Sequence, residues 1–152
     1  MKNKQRIIIV FAIAFGMFAT AQSGRTSNFN LEKKLAIQGY DPVAYFKQKK
    51  TIKGNNSIVA GHDGANYNFV SAANKEVFLK NPDAYEPQYG GWCAYAIGSS
   101  GEKVDIDPET FKIIDNKLYL FYNAYFSNTL KSWNKDEVGL KRKADSNWKK
   151  IN

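Results

Sequence analysis

Three of the four prolines in this chain follow Asp or Asn, at Asp41-Pro42, Asn81-Pro82 and Asp107-Pro108. Such a step cannot sit inside a helix, because proline lacks an N–H and turns the residue before it away from helical geometry. It can open one. The Asx side chain accepts from the bare N–H groups of a first turn, and proline has no such group to leave unpaired. The three pairs cut the chain into short elements and predict helical turns over residues 43–46, 83–85 and 109–111.

Between these marks the residues pattern as hairpins and helices. Residues 57–61 and 66–70 read as strands joined by His62-Asp63-Gly64, since Asp-Gly supplies the positive φ of a tight turn. Ser71 is placed to cap a helix over residues 72–80, with Val77 and Phe78 turned inward. A second hairpin pairs residues 111–114 with 118–122 around Asp115-Asn116-Lys117. Asn123 is a further cap, for a helix reaching about Trp133. A last helix is expected over residues 135–144, with Trp148 docking the tail. Hairpins and helices in mixed order define an α+β class. The expected fold is one small domain.

The N-terminus carries Lys2, Lys4 and Arg6, then an apolar run over residues 7–18 and Ala19-Thr20-Ala21. A basic segment, a short apolar run and an A-x-A pattern define a signal peptide over residues 1–21. The run is short of the ~20 residues a bilayer span needs. A periplasmic or secreted location follows, with no stable membrane anchor after cleavage. Residues 22–34 read as a flexible leader, and the domain as residues 35–150. Cleavage leaves 131 of the 152 residues and lowers the net charge from +8 to +5 by removing three basic side chains. No Arg-rich stripe interleaves with stacking aromatics, so nucleic acid is not an expected partner. A single cysteine allows no disulfide within the chain, and packing of the 14 % aromatic residues has to hold the fold.

That cysteine, Cys93, lies in the frame Pro87-Gln88-Tyr89-Gly90-Gly91-Trp92-Cys93-Ala94. A thiolate can ligate a soft metal ion such as Cu(I) or attack a disulfide, whereas a buried thiol is a small hydrophobe. Gly90-Gly91 permits close backbone approach beside the sulfur. Tyr40, Tyr89 and Trp92 flank loops and glycines, and with Asp41, Gly90, Gly91 and Cys93 they form the expected ligand pocket. His62, the sole histidine, is the second candidate metal ligand, and a closed four-ligand zinc site would need carboxylates or a second chain besides. Asp41 and Asp107 read first as helix caps, and Asp105 as a freer carboxylate. No serine–histidine–acid set and no phosphate-binding loop is present, which favours a binding module over an enzyme.

Several segments carry a family likeness. They are Gly39-Tyr40-Asp41-Pro42-Val43-Ala44-Tyr45-Phe46, then Tyr67-Asn68-Phe69-Val70-Ser71-Ala72-Ala73-Asn74, then Phe78, Asn81-Pro82, Tyr85, the frame around Cys93, Asp107-Pro108 and residues 118–123. In order and spacing they resemble the exported YHS-domain proteins of bacteria, over roughly residues 35–148. The resemblance implies a small metal-handling module, with copper the candidate ion. The chain departs from that pattern at Asn68, which takes the histidine's place, and in having one cysteine where metal-binding members carry a pair. Three functions stay open from the residues: metal or small-ligand binding at Cys93, single-thiol redox or peroxide sensing, and a non-catalytic structural or interaction role.

Overall fold

The computed structural model describes residues 26–152, so the signal-peptide reading of residues 1–21 and the start of the leader lie outside the described residues. The described chain is a small α+β domain with short sheets and five α-helices.

Strands β1 (Leu31–Glu32), β2 (Leu35–Ala36), β3 (Asn55–His62) and β4 (Ala65–Phe69) form one sheet in the order β1-β2-β4-β3. The β2/β4 pairing is parallel and the other two are antiparallel. The β3–β4 hairpin turns at Asp63-Gly64, as Asp-Gly chemistry dictates, with His62 opposite Ala65. Helix α1 (Pro42–Lys47) starts at Asp41, whose Oδ1 accepts from Val43 N and Ala44 N at 2.8 and 3.2 Å. Its other oxygen accepts from Val70 N and Asn74 Nδ2 at 2.9 and 2.8 Å, so one buried carboxylate ties together three elements. The third of them, α2 (Ala72–Lys80), is capped by Ser71 and buries Phe78.

Beyond a short helical turn at Pro82–Ala84 come α3 (Ala94–Ser99) and the hairpin of β5 (Asp107–Ile114) with β6 (Lys117–Phe121). A miniature hairpin of β7 (Asn123–Ala124) and β8 (Ser127–Asn128) leads into α4 (Thr129–Trp133) and α5 (Glu137–Ile151). Strand β6 is the wall between two cores. Leu118 and Leu120 face one with Tyr45, Tyr67, Phe69 and Phe78, while Tyr119 and Phe121 face the other with Ile97, Trp133 and Leu140. Side chains alternate along a strand, so a run that is apolar at every position suits a strand covered on both faces. Helices α3 and α5 pack closely at Gly98, where an added Cβ would lie 2.6 Å from Leu140 O.

Four expectations need correction. Residues 109–111 are strand, not helix. Asp107 does accept from Glu109 N at 2.9 Å, but Tyr45 Oη takes Pro108 O at 2.7 Å and Phe111 pairs with Leu120, so the local turn survives only as a bulge. Asn123 caps no helix: its amide donates to Thr110 Oγ1 at 3.0 Å, and Asn128 caps α4 instead. The last helix begins at Glu137, capped by Asp136, and runs through Trp148. From Thr26 onward the segment read as a flexible leader is tied down. Asn30 N donates to Gly90 O at 2.8 Å, Trp92 Nε1 to Asn28 O at 2.6 Å, and Asn28 Nδ2 to Ile151 O at 2.8 Å.

Candidate functional site

The pocket expected around Cys93 does not assemble. Cys93 has no exposed surface, and its side chain belongs to the first core. Its Sγ accepts from Tyr122 N at 3.3 Å and lies 3.4 Å from Thr129 Oγ1. Thr129 has one hydroxyl proton, and Tyr122 O accepts it at 2.9 Å. The thiol proton therefore points to Thr129 Oγ1, and the sulfur acts as acceptor to one neighbour and donor to the other. A sealed sulfur with both roles filled is joinery between α3, β6 and α4, the opposite of an exposed nucleophile or an open ligand.

The residues grouped with it scatter. The Tyr40 hydroxyl donates to Glu109 Oε1 at 3.0 Å, and burial with that carboxylate raises its pKa above the ordinary value. Asp41 is a fully buried cap, as above. Trp92 holds Asn28. Gly90 and Gly91 adopt φ of +59° and +83°. Glycine is required at position 90 on packing grounds, since a Cβ there would meet Phe29 Cδ1 at 2.7 Å and Trp148 at 3.1 Å. Asp105 accepts from Asn30 Nδ2 at 2.9 Å and from Ile106 N at 2.8 Å.

His62 does gather ligands, but different ones. Its Nε2 lies 3.0 Å from Asp83 Oδ1, and one ligand atom each from His62, Asp83 and Glu86 fall within 4.8 Å of one another. Cys93 is not in this group. The chain builds the group from three local rules. Asp63-Gly64 ends β3 and leaves His62 at the hairpin's end, its ring edge-on to Phe78 at 6.3 Å. Asn81-Pro82 starts the turn at Pro82–Ala84, which carries Asp83, and Glu86 N donates to Pro82 O at 3.2 Å just beyond it. Pro87 follows Glu86 and bridges to Leu118 on β6.

The three side chains differ in burial. Asp83 is exposed, His62 is half-buried, and Glu86 keeps 5 % of its surface. The hydroxyl of Tyr67, itself without exposed surface, donates to Glu86 Oε1 at 2.9 Å and fixes that carboxylate. Two ligands each about 2.0–2.2 Å from a tetrahedral ion sit roughly 3.3 Å apart. The 3.0 Å between His62 and Asp83 is close to that bite. The donor set, one imidazole nitrogen and two carboxylates, fits a zinc-class divalent ion better than Cu(I).

Asp83 and Glu86 also line a cleft of about 400 Å³ whose walls include Phe29, Tyr89, Gly90 and Trp148. Tyr89 stacks edge-on to Trp148 with centroids 6.3 Å apart and donates to Asp145 at 2.9 Å. Burial and that carboxylate push the Tyr89 hydroxyl far above its ordinary pKa, so it stays a donor at physiological pH. Two members of the expected pocket, Tyr89 and Gly90, thus do line a cavity, on the side occupied by Glu86. Sequence reading missed Asp83 and Glu86. Their three-residue spacing across a proline-opened turn was the available signal, but its meaning depends on a histidine over twenty residues upstream.

Comparison of the chain with protein-family models, with curated proteins and with solved structures gave no match.

Proposed function

We propose that this protein is a binding module that holds a zinc-class divalent cation between His62, Asp83 and Glu86. The adjoining cleft gives a small ligand access to the ion's open position. The observation that carries the reading is the convergence of three ligand atoms within 4.8 Å, one of them on a buried carboxylate oriented by Tyr67. Three protein ligands leave a fourth tetrahedral position for water or a ligand atom. A cleft of about 400 Å³ lies in the size range of small-molecule sites.

Membership of the exported YHS-domain group and a periplasmic or secreted location belong to the same proposal. They rest on the ordered segments from Gly39 to Asn123 and on the basic and apolar N-terminus.

Calorimetric titration of the full chain with Zn²⁺ tests the site. A one-to-one dissociation constant in the micromolar range or tighter is expected, weakened at least tenfold by His62→Ala and unchanged by Cys93→Ser. Absence of Zn²⁺ binding, or binding abolished by Cys93→Ser and intact in His62→Ala, overturns it.

A further inference from the structure

Four hairpins among the described residues turn through two consecutive residues with positive φ. They are Asp63-Gly64 (47° and 89°), Asp115-Asn116 (51° and 56°), Tyr125-Phe126 (49° and 67°) and, between β1 and β2, Lys33-Lys34 (49° and 73°). The first two use the residues this geometry favours, since Gly has no Cβ to clash and Asp or Asn tolerates the left-handed region. The third uses two aromatics, whose Cβ atoms crowd the following carbonyl there. Burial does not compensate: Tyr125 is 89 % exposed and Phe126 fully exposed.

The tip stands on a fixed base. Asn123 pairs with Asn128 and Ala124 with Ser127, while Thr129 donates to Tyr122 O through both its N–H, at 3.0 Å, and its hydroxyl, at 2.9 Å. The Asn123 amide anchors the base to Thr110, and also reaches Asp107 at 3.3 Å. In sequence the flanks carry charge of one sign: no acidic residue occurs between Asp115 and Asp136, whereas Lys131 and Lys135 follow the turn. Asp107 on β5, which reaches the base of the hairpin, is engaged there by Glu109 N, Thr110 and Asn123.

We propose that the Tyr125-Phe126 turn is a lipid-contacting tip that seats in the headgroup and upper acyl layer of an anionic bilayer. A convex pair of rings needs a deep complementary pocket to be covered by a protein, but a fluid interface accommodates it directly. Aromatic side chains favour that layer, with tyrosine keeping its hydroxyl at the wet level. The net positive charge, +8 for the full chain and +5 after removal of Lys2, Lys4 and Arg6, adds attraction to anionic headgroups.

The experiment uses the full chain with Ser127→Cys carrying an environment-sensitive fluorophore, Cys93 being sealed from reagent. A second chain adds Tyr125→Asn and Phe126→Gly, a pair suited to this turn, so the fold is retained. Both chains keep the same apolar N-terminal run, and any lipid affinity it contributes is common to both. On phosphatidylcholine vesicles containing phosphatidylglycerol, a blue shift is expected for the aromatic-bearing chain, smaller on phosphatidylcholine alone, and lost in the Asn-Gly chain. No shift on vesicles, or equal shifts in both chains, overturns the proposal. A shift that grows with protein concentration without lipid also overturns it, in favour of contact between two copies.

Discussion

Glu86 and Cys93 lie seven residues apart on one frame and are both buried, yet they have opposite surroundings. The sulfur of Cys93 is closed in by Tyr122 N and Thr129 Oγ1, in a core it helps to join. The carboxylate of Glu86 is fixed from behind by Tyr67 and faces His62, Asp83 and a cleft. Burial alone therefore says little about function. A chemically versatile atom enclosed in a core it helps to join is structural, whereas on the proposed reading the Glu86 carboxylate, held by Tyr67 beside His62 and Asp83, serves a cation.

The comparison can be attacked from both ends. The largest effect is expected at Glu86→Gln, which keeps shape but removes the charge that attracts a cation. Zn²⁺ affinity should fall about hundredfold, or roughly 2.7 kcal/mol, by calorimetry. Cys93→Ala should do the reverse. It strips the acceptor from Tyr122 N–H and leaves a small void, lowering stability by about 2 kcal/mol in denaturant unfolding with Zn²⁺ affinity unchanged.

Two tyrosine–carboxylate pairs sharpen the contrast. Tyr67→Phe removes the hydroxyl that orients Glu86 and should weaken Zn²⁺ binding about tenfold, the usual scale for a residue supporting a ligand. Tyr89→Phe leaves Glu86 alone and should show its effect in alkali. Burial beside Asp145 raises the Tyr89 pKa in the folded chain, while unfolded tyrosine titrates near about 10. Above that pH the unfolded chain binds fewer protons, so stability falls as pH rises. The wild type should lose about 1 kcal/mol more than Tyr89→Phe over the first pH unit beyond it. The smallest effect belongs to the exposed turn. Tyr125→Asn with Phe126→Gly should raise stability by about 1 kcal/mol in the same unfolding assay, because left-handed strain is relieved and no packing is lost.

Much of the framework was legible because its signals are local. Asp63-Gly64 announces the first hairpin, Ser71 starts α2 where expected, Asp41-Pro42 starts α1, and Asp115-Asn116 turns the second hairpin. The failures share a cause, which is competition from distant partners. Tyr45 and Leu120 draw residues 108–111 into a strand although Asp107-Pro108 is a good helix start. Gly90, Trp92 and Ile151 hold residues 28–30, whose polar composition suggests only a loose leader. The hairpins at Tyr125-Phe126 and Lys33-Lys34 escape detection because their residues break the turn chemistry that makes Asp63-Gly64 and Asp115-Asn116 readable.

The candidate site was half-legible for the same reason. His62 stands out as the sole histidine, whereas Tyr89 and Gly90 are expected around Cys93 and instead line the cleft beside Glu86. Cys93 is unique in the sequence, a property that carries no information about what surrounds the sulfur. Asp83 and Glu86 take their meaning only from the proximity of β3 and β4, which no local pattern encodes.

Anomalous diffraction from crystals of the Zn²⁺-equilibrated protein tests the central claim most directly. The account predicts a peak about 2.0–2.2 Å from His62 Nε2 and from carboxylate oxygens of Asp83 and Glu86. A peak at Cys93 Sγ, or no peak beside His62 at saturating Zn²⁺, would contradict it.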